Sequence, residues 1–263
     1  MSLVMDRVQK HYEYASENYE KNNIIGIFLV GSQNYGTDLE TSDVDTKLII
    51  TPTLQDIYKN KRGESSTIYL PDSNEQISVK DIRCVFNEFR KQNISILEIL
   101  YTNYCILNEP YKKTWQALID ERELISHYDK KRAVKAIKGN VYNTYNRIYL
   151  KDGNISRKQV ANIVRYEYFL RNFINEEPYE KCLHPEGQAK EYIMQIRNGE
   201  MGEAAMKIIA DSIRQTLEIL FNAYEQRPDI DAENFEVDSI LDNLCKEFID
   251  TSFFAEYARN GEI

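Results

Sequence analysis

The 263-residue sequence predicts an α+β fold: a small mixed sheet with flanking helices, followed by a helical C-terminal domain. Short apolar runs closed by turn residues alternate with helical segments from Ile24 to about Leu107, whereas from Pro110 onward the period is helical almost throughout. The composition, 42% hydrophobic and 29% charged, is that of a globular chain long enough to bury a real core. The change of pattern sets a boundary between Leu107 and Trp115, dividing residues 1–110 from residues 111–263.

Residues 1–22 read as a helix, with Val4, Val8, Tyr12, Ala15 and Tyr19 on one face. Residues 24–30 form an apolar run stopped by Gly31, a buried strand, and residues 44–50 form a second, stopped by Thr51-Pro52. Residues 68–70 and 76–80 give a third and fourth strand around the turn Pro71-Asp72-Ser73-Asn74. Residues 82–91 and 94–101 read as helices. Farther on, Val134, Ile137, Val141, Tyr145 and Ile148 share a helix face; Val160, Ile163, Val164, Leu170 and Phe173 share another, after an N-cap at Ser156. Ile208, Ile209, Ile213, Leu217, Leu220 and Tyr224 make a third stripe. Val237, Ile240, Leu241, Leu244 and Phe248 make a fourth, past Pro228. Such stripes are core packing.

Composition narrows the chemistry. No apolar run approaches the ~20 residues of a membrane span, and the N-terminus has no signal-peptide core, so no membrane partner and a cytoplasmic location are expected. Four scattered cysteines and three histidines offer no thiolate or imidazole metal site. Any metal is therefore expected on oxygen, which means Mg2+ or Mn2+. A net charge of −9 disfavours broad nucleic-acid binding. A local basic cluster (Lys130, Lys131, Arg132, Lys135, Lys138, then Arg147, Lys151, Arg157 and Lys158) reads first as a solvated helix face, and second as a patch for an RNA end. Tyr142 and Tyr145 beside it are candidates for base stacking, and Lys80 and Arg83 read as solvated or ion-paired rather than phosphate contacts.

The segment from Ile24 to Ile50 concentrates the chemistry. A strand ends at Gly31-Ser32, and the next opens with Asp43-Val44-Asp45. Residues two apart on a strand share a face, so Asp43 and Asp45 are aimed together with apolar Val44 behind them. Two bare carboxylates side by side raise each other's pKa, a penalty that a divalent cation removes. Gly31 allows close backbone approach to a ligand; with the hydroxyl of Ser32 it suits phosphate oxygens. Gly36 permits a second tight turn.

The pattern G-S, ten residues, D-x-D resembles the signature of the DNA polymerase β-like nucleotidyltransferase superfamily. Its closer form, G-S-x-x-x-G-x-x-x-x-x-S-D-x-D, resembles the YcgL-type predicted nucleotidyltransferases. The resemblance implies a third carboxylate on a later strand; Ser78-Val-Lys-Asp-Ile-Arg83 is the matching segment and Asp81 the candidate, with a helix N-cap for Ile82 as the alternative. Asn93-Ile-Ser-Ile-Leu-Glu-Ile-Leu100 is similar to the asparagine-then-leucine-rich helix of that family. In the helical half, Ile163-Val-Arg-Tyr-Glu-Tyr-Phe-Leu-Arg171 resembles a family helix with two arginines six residues apart. Arg165 and Arg171 are thereby candidates for nucleotide binding, with surface ion pairing as the alternative. The chain departs from the pattern in carrying Gln33-Asn34-Tyr35 where members often have Arg or Ala after Gly-Ser.

The expected activity is Mg2+-dependent transfer of a nucleoside monophosphate from a nucleoside triphosphate, ATP by family default, to a hydroxyl acceptor with release of pyrophosphate. Asp43, Asp45 and Asp81 are the expected catalytic and metal-binding residues; Gly31, Ser32, Arg165 and Arg171 are the nucleotide-binding ones. A small molecule, a protein or an RNA end can serve as acceptor, and the sequence assigns no oligomeric state. The alternatives are a catalytically silent binding or antitoxin-like module, and a tRNA or RNA 3′-end nucleotidyltransferase.

Overall fold

The computed structural model describes residues 3–71, 73, 75–151, 153–226 and 235–260. Its strands are β1 (Ile24–Val30), β2 (Asp45–Ile50), β3 (Ser65–Tyr69), β4 (Gln76–Asp81) and β5 (Cys105–Leu107). Helices α1 (Leu3–Asn18), α2 (Ser32–Tyr35), α3 (Leu54–Tyr58), α4 (Ile82–Arg90) and α5 (Ile94–Leu97) lie among the strands. After β5 come α6 (Lys112–Asp120), α7 (Arg122–Ser126), α8 (Lys130–Tyr145), α9 (Arg157–Ile174), α10 (Tyr179–Leu183), α11 (Gly187–Asn198), α12 (Glu203–Glu225) and α13 (Phe235–Asn260). Asp72 and Asn74 of the expected turn, Pro228, and residues 1–2, 229–234 and 261–263 lie outside the described residues.

The expected α+β class is the one the chain adopts. The sheet is mixed, in the order β3-β4-β2-β1-β5, with β2 and β4 parallel and the other pairs antiparallel. All seven residues of β1 are buried, as expected of an apolar run covered on both faces. Side-chain parity divides them, shifted by a bulge between Ile24 and Gly26. Ile27 and Leu29 face α1 with Leu48, Ile77 and Val79; Ile25 and Phe28 face the other side, where Phe28 stacks on Trp115 at 4.3 Å. β5 was not anticipated, because three residues give no alternation to read. It lies close on β1 at Gly26, where a Cβ would come within 2.7 Å of the Ile106 carbonyl oxygen.

The core on that second face does not stop at residue 110. It runs from Ile25 and Phe28 through Trp115, Val134, Val164 and Leu217 to Phe248 as one cluster. α13 returns to the N-terminal half: Arg90 of α4 pairs with Asp238 at 3.0 Å and Asp242 at 2.6 Å, and Thr51 bonds Ser252 at 2.8 Å. Three of the four stripes pack as expected; in the third, Ile208 is 70% exposed while Leu217 and Tyr224 are buried. Ser156 caps α9, accepting from the Gln159 N–H. Among the described residues, no helix is long and apolar enough to cross a membrane.

Candidate functional site

β1 ends at Val30, whose register partner is Asp45 at the start of β2. Between strand and helix Gly31 adopts φ 79°, ψ −153°, a conformation strained for an L-residue. A Cβ there would sit 3.3 Å from Asp45 Oδ2, so the bare backbone is what lets the turn lie against the carboxylate. The Gly31 N–H is already committed: it donates to Glu98 Oε2 at 3.0 Å. Ser32, the first residue of the single-turn α2, lines the cavity beside it.

Asp43 precedes β2 and is exposed, Val44 is fully buried toward α1, and Asp45 is half-buried. Asp43 and Asp45 line one cavity of about 330 Å3, with Ser32. Burial pushes the Asp45 carboxyl above the usual range, opposed by a bond from Gln76 and by Lys158 and Lys47, and reinforced by the charge of Asp43. Lys47 continues the alternation on the same face and lies 3.5 Å from Glu98, itself 3% exposed.

The opposite wall comes from the helical half. Arg157 and Lys158, at the start of α9, and Arg197, near the end of α11, line the cavity with Asp43 and Asp45. An adjoining cavity of about 260 Å3 holds Gly31, Asp45, Lys158 and Arg165. Arg165 is only 5% exposed, its guanidinium between the rings of Tyr35 at 4.0 Å and Tyr166 at 4.6 Å. Its Nε and Nη1 are buried with no hydrogen-bond partner. Arg197 donates from Nη2 to Ser42 Oγ at 3.3 Å, leaving a buried Nε unpartnered; burial lowers its pKa. Buried donors without acceptors are costly, and both arginines carrying them line the cavity beside Asp45.

Behind the carboxylates a polar network holds the start of β2. Glu75 accepts from His11 Nε2 at 2.9 Å, from Arg7 and from the Val44 N–H; His11 Nδ1 meets Thr46 Oγ1 at 2.9 Å. Arg7 also donates to the Ser42 carbonyl. Burial, then the Arg7 charge, lowers the His11 pKa to about 4, so the ring is neutral, with Nε2–H donating and Nδ1 accepting.

Two expected site residues stand elsewhere. Asp81 pairs in register with Ile50, at the far end of β2 from the Asp45–Gln76 pair, about 17 Å along the strand. Its neighbour Ile50 belongs to the α1 side of the sheet, so Asp81 has the wrong parity as well as the wrong end. It is instead the N-cap of α4, and both carboxylate oxygens bind Arg83, at 2.9 and 2.6 Å. The β4 residues beside Asp45 and Lys47 are the neutral Gln76 and Ser78. Arg171 is exposed and pairs with Glu167 one turn earlier. Six residues turn a helix through about 600°, which leaves Arg171 some 120° around the axis from Arg165.

The basic cluster divides. Lys130, Arg132 and Lys138 pair with Glu176, Asp129 and Glu225 on the surface, whereas Arg157 lines the cavity with Asp43 and Lys158 lines both. Lys80 bonds Ser65, and the hydroxyls of Tyr142 and Tyr145 bond Glu218 and Asp211, away from the site. Lys47, Glu98 and Arg197 were not anticipated. The 43-45-47 alternation carried a signal for Lys47; Glu98 and Arg197 had none, being placed by packing.

Among the described residues no three His, Cys, Asp or Glu side chains are grouped to hold a metal. Asp43 and Asp45 offer a pair of carboxylates, which fits a cation such as Mg2+ that takes one or two carboxylates and completes its shell with water and substrate phosphates.

No protein-family model matches the chain, and no curated protein does. Among solved structures it is similar to a nucleotidyltransferase-like protein from Exiguobacterium sibiricum 255-15, at 12% identity over 83% of this chain and 75% of that one; the TM-score of 0.30 is too low to assign a family or an activity.

Proposed function

We propose that the chain is a nucleotidyltransferase that moves a nucleoside monophosphate from a nucleoside triphosphate to an acceptor, releasing pyrophosphate. The observation that carries this reading is the convergence, across the bare Gly31 turn, of a carboxylate pair with two arginines that each keep a buried donor without a partner. The motif resemblance to the YcgL-type branch supports it.

Asp43 and Asp45 would hold Mg2+ or Mn2+, which supplies charge neutralisation for a bound triphosphate. Lys158, Arg165 and Arg197 bind phosphate oxygens; the Ser32 hydroxyl adds a donor, and Gly31 clears the backbone from their path. With the phosphates fixed, a nucleophilic oxygen of the acceptor attacks the α-phosphorus and pyrophosphate leaves. The chain contributes position and charge rather than a covalent intermediate. Asp81, bound by Arg83, has no part in this scheme.

A second reading has a specific observation behind it: neutral Gln76 and Ser78 beside Asp45 suit a silent binding module. Surface pairing of Lys130, Arg132 and Lys138 weighs against an RNA 3′-end enzyme. The test is calorimetric titration of the four nucleoside triphosphates, with and without Mg2+, on wild type and on Asp43→Asn/Asp45→Asn. Metal-dependent binding that the double variant loses is expected. A well-folded wild type that binds no triphosphate would overturn the proposal, and binding without transfer to any acceptor would favour the silent module.

A further inference from the structure

Asp45 borders two adjoining cavities, of about 330 and 260 Å3. The smaller contains the unpartnered Arg165. The larger, on the side of Asp43, adds Arg157 to Lys158 and Arg197, so the place left for an acceptor is itself cationic. An alcohol entering there would have to lose a proton, and the carboxylates lining this cavity, Asp43 and Asp45, are the ones assigned to the metal. Asp81 is held by Arg83, Glu98 by the Gly31 N–H and Lys47, and β4 presents Gln76 and Ser78.

The geometry points to a small phosphate monoester as the acceptor, seated against Arg157, with Lys158 and Arg197, which line both cavities, shared between it and the triphosphate. This inference rests on the nucleotidyl-transfer reading. A phosphate monoester has a second pKa of about 6 and is mostly dianionic at neutral pH, so its oxygen is a nucleophile that needs no base. One non-bridging oxygen bonds to the α-phosphorus, the bond from that phosphorus to the α,β-bridging oxygen breaks, and pyrophosphate leaves with its electron pair. The product is a phosphoric anhydride joining acceptor and nucleotide. The net charge of −9 disfavours a long polyanion in the same role, since only a local group of cations is available to it.

The test uses the full chain loaded with Mg2+ and an α,β-methylene nucleoside triphosphate, titrated with phenyl phosphate and, separately, with phenol. Phenyl phosphate is expected to bind at least tenfold more tightly than phenol. Arg157→Gln should weaken phenyl phosphate at least tenfold, with a smaller effect on the triphosphate analogue, while Arg157→Lys retains most of the affinity. Equal binding of the two probes, or equal loss of both phosphate ligands in Arg157→Gln, overturns the inference and leaves nucleotidyl transfer standing. Failure of the analogue itself to bind wild type removes the reading on which it rests, and the inference with it.

Discussion

Arg165, a lining residue of the smaller cavity, is held by two aromatic rings rather than by a carboxylate, so its guanidinium keeps a full charge and two buried, unpartnered nitrogens. Hydrogen bonds to charged groups contribute about 1.5–3 kcal/mol, roughly 10- to 150-fold in affinity. Arg165→Gln should therefore weaken Mg2+-triphosphate binding by at least tenfold, measured by calorimetry. Arg165→Lys should recover only part of this, because an ammonium lacks the planar fork that both rings sandwich. Arg171 supplies the contrast on the same helix. It makes an exposed i,i+4 pair with Glu167, so Arg171→Ala should leave affinity unchanged and stability within about 0.5 kcal/mol. Equal losses from the two substitutions would show that helix integrity, not the cavity charge, is being measured.

At the scale of elements, α1 does more than cover a sheet face. Through Arg7, His11 and Glu75 it fixes the segment from Ser42 to Thr46, and so the two carboxylates. The folded His11 pKa of about 4 lies below its ordinary 6.5, so folding favours the neutral ring. Its contribution is fully present above pH 6.5 and is lost as pH falls toward 4, by about 3 kcal/mol at most. Urea midpoints at pH 7 and pH 5 should show a loss of stability on acidification that His11→Asn diminishes; an unchanged pH dependence in that variant would refute the neutral-ring assignment. α4 shows the same economy of contacts, since its N-cap Asp81 also orders Arg83, and a carboxylate so engaged is withdrawn from other chemistry.

For the whole molecule, the continuous core has a consequence for the division at residue 110. The face of β1 bearing Ile25 and Phe28 is covered by Trp115 and the last helix, which reaches back through Arg90 and Thr51. A fragment of residues 1–110 would leave that face open, and is expected to show no cooperative thermal transition by near-ultraviolet circular dichroism, in contrast to the full chain. Cooperative melting of the fragment would mean that the sheet is an independent unit. The same interlock builds the candidate site, whose carboxylates come from the sheet and whose cations come from α9 and α11. Much of the sheet half was legible beforehand because the rules involved are local. Period-two alternation puts Asp43, Asp45 and Lys47 on one face, an apolar run ending in glycine marks β1 and its turn, and helical stripes mark most of the rest. Parity could even have weighed against Asp81, had the pairing of β2 with β4 been known. That register, the burial of Glu98 beneath Gly31, and the arrival of Arg157, Lys158 and Arg197 opposite the carboxylates belong to the tertiary structure alone. They depend on which strands pair and how helices distant in sequence pack, and no short-range period in the chain encodes either.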